Sequence, residues 1–99
     1  MQIERKIVEE MTLERFADKH GLVMQVNERP NSIGQKTRYW ANFKSCEVMK
    51  KGFLLGEHGD GATEEEAIAD YARLISEQLL AVDAFKPSRR NILTPRLVG

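Results

Sequence analysis

The sequence predicts an α+β fold in which a helix, three antiparallel strands and a second helix follow one another. Two observations carry this reading. Apolar residues recur at helical spacing over residues 12–20 and again over 63–82, and between those stretches the period falls to two. A third bounds the size: 99 residues hold one hydrophobic core, and a chain of that length folds without metal or disulfide staples.

Residues 1–11 form an N-terminal extension in which Ile3, Ile7, Val8 and Met11 fall at helical spacing; Met1 and Met11 both stand as native starts. Thr12 is the expected N-cap of the first helix, its hydroxyl accepting from an amide of the first turn. Leu13, Phe16, Ala17 and His20 make one helix face, and Gly21 supplies the left-handed stop. Leu22, Met24 and Val26 alternate with more polar neighbours, the signature of a half-buried strand. Residues 29–35, rich in turn formers, read as a loop. Tyr39, Ala41 and Phe43 open a second strand that runs on to Val48 or Met49, and residues 49–52 make a tight hairpin into a third strand from Phe53. Residues 59–62 then break the sheet. Thr63-Glu64-Glu65-Glu66 is a capping box with three acids on the positive end of the helix dipole. It opens a helix over 63–82 with Ile68, Tyr71, Ala72, Ile75, Leu79 and Val82 on one stripe. From Ala84 no period persists and basic residues dominate. The expected organisation is an extension (1–11), a domain (12–83) and a basic extended tail (84–99).

Fifteen basic residues balance fifteen acidic ones, so any grip on nucleic acid needs local segregation of charge. Cys46 is the sole cysteine, which excludes an intramolecular disulfide, and no His adjoins it in sequence; a small buried apolar group is the expectation. No apolar run near residue 1 reads as a signal peptide or membrane span, and the cytoplasm is the expected location.

Leu13-Glu14-Arg15-Phe16-Ala17-Asp18-Lys19-His20-Gly21, the run Gly56-Glu57-His58-Gly59-Asp60-Gly61 and Ala67 together resemble the first helix, strand exit and last helix of a double-stranded-RNA-binding domain. The resemblance spans residues 13–80 and implies a three-stranded antiparallel sheet with two helices packed on one face. It does not extend to the RNA contacts. Glu64, Glu65 and Ile68 stand where that family places phosphate-gripping lysines, and Arg29-Pro30-Asn31-Ser32 replaces its groove-entering Gly-Pro-x-His loop. Carboxylates at that helix start repel a polyanion, so typical double-stranded RNA binding is not expected. Residues 38–80, with Gly-x-Thr-x-Glu-Glu-Ala opening a helix in that family, are also similar to HicB-type antitoxins, which bind a protein partner. The chain as a whole looks like small uncharacterised phage or prophage proteins.

The chemistry-bearing residues are few. His58 and Asp60 flank Gly59 but lack a third metal ligand, and His20 sits at a helix end as a cation or a packed ring. The capping box accounts for the acidic run 64–66, and no P-loop, GxSxG or HExxH pattern occurs. The expectation is a non-enzymatic protein-interaction module without cofactor or metal, binding a protein partner or a second copy of itself. Its expected surfaces are the sheet face away from the helices, with Trp40, Asn42 and Lys44, and the acidic Glu64 and Glu65. The alternative is a nucleic-acid binder using Arg29, Lys36, Arg38, Lys50 and Lys51 with Lys86, Arg89, Arg90 and Arg96 of the tail.

Overall fold

A computed structural model describes residues 1–5 and 9–99. Strand β1 (Glu10–Thr12) leads into α1 (Leu13–His20), followed by β2 (Met24–Glu28), β3 (Tyr39–Phe43), β4 (Cys46–Lys50), β5 (Phe53–Leu55) and β6 (Gly59–Gly61). Then come α2 (Glu64–Ile75), β7 (Leu79–Val82), β8 (Arg90–Leu93) and β9 (Arg96–Val98). The α+β class holds. The single three-stranded sheet does not: the strands form a sheet ordered β2-β3-β6, a second ordered β5-β4-β7-β8, and a parallel pair β1-β9.

α1 is built as its sequence dictates. Thr12 Oγ1 accepts from the Arg15 amide at 3.2 Å, and Gly21, at φ 65°, ends the helix by donating its N–H to Ala17 O. The expected second strand is two strands. Ser45 takes φ 62° and turns the chain, so β3 pairs with β2 and β6 while β4 pairs with β5 and β7. The β4–β5 hairpin turns at Lys51 and Gly52, both at positive φ, as the tight connection requires.

Residues 59–62 do not break the sheet. Gly59–Gly61 is a strand on β3, and its glycines are there for proximity: a Cβ on Gly59 would lie 2.2 Å from both Ala67 O and Tyr71 N of α2. Half of the capping box forms as expected, with Thr63 Oγ1 accepting from the Glu66 amide at 3.1 Å. The Glu66 carboxylate reaches back one residue further, to the Ala62 amide at 2.9 Å.

α2 stops at Ile75, seven residues short of the expected end. Leu79-Leu80-Ala81-Val82 is a continuous apolar run, which periodicity alone does not assign to helix or strand. Tertiary partners decide it. Thr94 Oγ1 donates to Ile75 O at 2.5 Å and accepts from the Gln78 amide at 2.9 Å, while Ser76 Oγ donates to Ala72 O and accepts from the Leu97 amide at 2.8 Å. Of the carbonyls that the helix end leaves free, Ile75 O is thus taken by Thr94, between the last two strands, and Ala72 O by the capping Ser76, itself held by Leu97 of β9.

Those strands lie in the segment expected to trail as a tail. β8 pairs along all of β7, and β9 lies beside β1, the Arg96 amide donating to Glu9 O at 3.0 Å. The helical spacing read over residues 1–11 is also not realised where it is described. Met11 is in β1 and Ile3 is 68% exposed outside any element, while Ile7 and Val8 fall outside the described residues.

One core joins these parts. Phe43 lies between the helices, 6.3 Å from Phe16 of α1 and 5.4 Å, edge-on, from Tyr71 of α2. Val48, Ile75, Leu80 and Leu97 complete it, all nearly or wholly buried. Cys46 is buried there as expected, and that burial pushes its thiol up to about 11, so it stays protonated near neutrality. His20 is a packed ring, 4.6 Å from Phe16. Burial, then Lys19 and Arg90, lower its pKa from the ordinary 6.5. The unfolded chain therefore binds this proton more readily, and the ring's contribution to stability declines as pH falls through 6.5. A proton-detected NMR titration is expected to place the His20 midpoint below 6.5.

Candidate functional site

Alternation along β3 decides what faces away from the helices. Ala41 and Phe43 point into the core, so Trp40 and Asn42 point out on the opposite side, both half-buried. Beyond the kink at Ser45, Cys46 and Val48 continue the core face, which turns Glu47 and Met49 outward. The sequence reading placed Trp40 and Asn42 on this face; the structure adds Glu47, Gly56, Glu57 and His58 around them.

These residues, with Phe85, line a cavity of about 170 Å³. The Trp40 indole meets the His58 ring edge-on at 5.6 Å. Asn42 Nδ2 donates to Phe43 O at 3.2 Å, which turns Oδ1 the other way. Asn42 Oδ1 and Glu47 Oε2 are sealed from solvent, and neither accepts a hydrogen bond among the described residues. Glu57, by contrast, is paired with Lys50 at 3.3 Å. His58 Nε2 lies 3.7 Å from Asp60 Oδ2, and Asp60 also holds Arg29 at 2.8 Å. Among the described residues no three His, Cys, Asp or Glu side chains cluster as a metal would require.

The same face of the four-stranded sheet carries a feature the sequence reading missed. Directly opposed residues share a face, and Leu54–Met49, Met49–Leu79 and Leu79–Leu93 are opposed pairs. Together they form one apolar row across β5, β4, β7 and β8, on the side away from Val48, Leu80 and Ile92. No helix covers it. Leu93 is 73% exposed and the other three are half-buried. Phe53, at the edge of the same sheet, is 71% exposed. Unbroken alternation from Tyr39, Ala41 and Phe43 puts Met49 on the core face, Leu79 belongs to the expected helix stripe and Leu93 to the expected tail, so the row is hidden in the sequence.

The remaining candidates are scattered. Glu64 and Glu65 are exposed at the start of α2, remote in sequence from Trp40 and outside the lining of its cavity. Lys44 is exposed but leaves the Trp40 group at the kink; it lines a separate cavity with Lys86 and Arg90. Of the basic residues, Arg29 pairs with Asp60, Arg38 with Glu28 at 3.1 Å, Lys50 with Glu57 and Lys86 with Asp83 at 3.9 Å. Arg90 donates to His20 O and Arg89 to Asn91. Arg29 and Arg38 flank the β2–β3 loop, Lys36 is exposed within it, and Lys50 and Lys51 lie at the far end of β4. Arg96 is in β9. The structure does not bring them onto one surface.

No helix among the described residues is long and apolar enough to cross a membrane. Compared with known proteins, the chain matches no family model, no curated protein and no solved structure.

Proposed function

We propose that this chain is a non-enzymatic protein-interaction module that docks a protein on its helix-free sheet face. The row Leu54–Met49–Leu79–Leu93 carries the reading. Apolar side chains aligned across four strands, with no helix among the described residues packed on them, form a flat surface of the kind that sheet-on-sheet packing buries. A second copy is the occupant the charge balance favours. With a formal net charge of zero, two copies approach without long-range repulsion.

In this proposal the helices and the β2–β3–β6 sheet follow the double-stranded-RNA-binding architecture that the sequence resembles, without its ligand. Exposed Glu64 and Glu65 oppose a phosphate backbone at the start of α2, and four of the nine candidate cations already face carboxylates. A basic surface so divided gives little counterion release, which disfavours the nucleic-acid reading.

Light scattering on a size-exclusion column tests the docking face. At concentrations up to about 500 µM, well above micromolar dissociation constants, the expected mass is twice the 11.3 kDa of the chain. Leu93→Lys, at a position 73% exposed, is expected to return the monomer mass with an unchanged melting temperature. A monomer at every concentration, or a dimer indifferent to Leu93→Lys, rejects self-docking through this face.

A further inference from the structure

From the cavity beside Trp40 we infer a binding site for a guanidinium group, the head of an arginine side chain presented by a docking protein. The buried side-chain polar atoms left without a partner among the described residues are Asn42 Oδ1 and Glu47 Oε2. Their residues both line this one cavity, the two oxygens lying just beneath its surface. Both are acceptors, so what they lack is a donor, and one of them belongs to a carboxylate. A sealed acceptor without a donor is costly, and a sealed carboxylate oxygen more so, unless something supplies N–H groups and positive charge.

The described residues do not supply them. Among the described residues Glu47 takes part in no ion pair, and Lys50, the nearby cation, is held by Glu57. Gly56 keeps the approach to Glu47 narrow but open: a Cβ there would stand 3.0 Å from Oε2.

Size and wall chemistry choose the occupant. About 170 Å³ is below the roughly 300 Å³ at which pockets for whole small molecules begin, so the cavity suits one head group. Trp40 and His58 provide aromatic walls, and a flat cation stacks on such rings. A guanidinium is planar, carries five donors in a fixed fork, and sheds its hydration more easily than an ammonium. With a small shift of the half-buried Asn42 and Glu47 side chains it meets an amide oxygen and a carboxylate oxygen together while lying against an indole. The site lies on the helix-free side of the molecule. That the guanidinium arrives on a protein rests on the docking proposal above; the pocket itself does not.

The chain has one tryptophan, so its indole N–H gives a single NMR signal that reports on this cavity alone. Titration with ethylguanidinium at constant ionic strength is expected to move that signal saturably, in the millimolar range typical of so small a ligand. Neutral ethylurea, of the same shape, is expected to leave it in place. Glu47→Gln and, separately, Asn42→Leu are each expected to weaken ethylguanidinium by about tenfold, the loss of one charge-assisted or buried hydrogen bond. An equal response to ethylurea, a shift that never saturates, or full affinity in both variants overturns the assignment. A chain that takes ethylguanidinium yet stays monomeric in light scattering keeps the pocket and rejects only self-docking.

Discussion

Gly59→Ala is expected to destabilise the fold by at least about 3 kcal/mol, the upper part of the range for forcing extra volume into a packed interior. The new methyl would stand 2.2 Å from both Ala67 O and Tyr71 N, and 2.8 Å from Tyr71 Cα. These are backbone atoms of a helix whose neighbouring residues, Ala67, Tyr71 and Ala72, are all buried. No side-chain rotation relieves the clash; α2 must move off β6, and Tyr71 then leaves Phe43. Gly34 is the control. It sits at φ 81° with open space around it, so Gly34→Ala meets no neighbour and costs only the strain of a left-handed alanine, about 1 kcal/mol. Urea melts of the two variants measure the difference. A Gly59→Ala protein as stable as the parent would mean that β6 does not abut α2.

Removal of residues 90–99 is expected to unfold the chain. A solvated tail would be dispensable, and the two pictures differ by most of the stability. Leu97 is 4% exposed and Thr94 3%, and Ile92 packs against the same core. Burying two such aliphatic side chains contributes about 3–6 kcal/mol. Loss of Thr94 also strips partners from Ile75 O and the Gln78 amide, and loss of Leu97 strips one from Ser76. Against a total of roughly 5–15 kcal/mol for a domain, these losses together remove much of the stability. Circular dichroism and a thermal melt of the truncated chain read the outcome; a cooperative transition near the parent's would return β8 and β9 to the status of an appendage.

Local signals were legible wherever one residue's chemistry governs one turn of chain. Thr12 and Gly21 bound α1, Thr63 caps α2, and Lys51-Gly52 turns the β4–β5 hairpin, all as their types require. The reading failed where a distant residue makes the decision. Nothing in residues 76–82 announces that Thr94 and Leu97 will claim the end of α2 and release Leu79–Val82 as a strand. Glycine pairs signal turns, so Gly59 and Gly61 were read as a break, although here they mark a strand pressed against a helix. The candidate site shows the same division. Trp40 and Asn42 could be placed from alternation. Glu47 joins them only because Ser45 kinks the chain, and Leu93 joins the apolar row only because the last segment folds back.

That return has a mechanical consequence. β1 and β9 run the same way side by side, Glu10 against Arg96 through Thr12 against Val98. Tension drawn between the first and last residues would pull these strands lengthwise past each other. Every rung between them resists together, where an antiparallel pair gripped at one end would peel open rung by rung. A clasp of three residues thus holds the molecule shut against stretching from its own extremities.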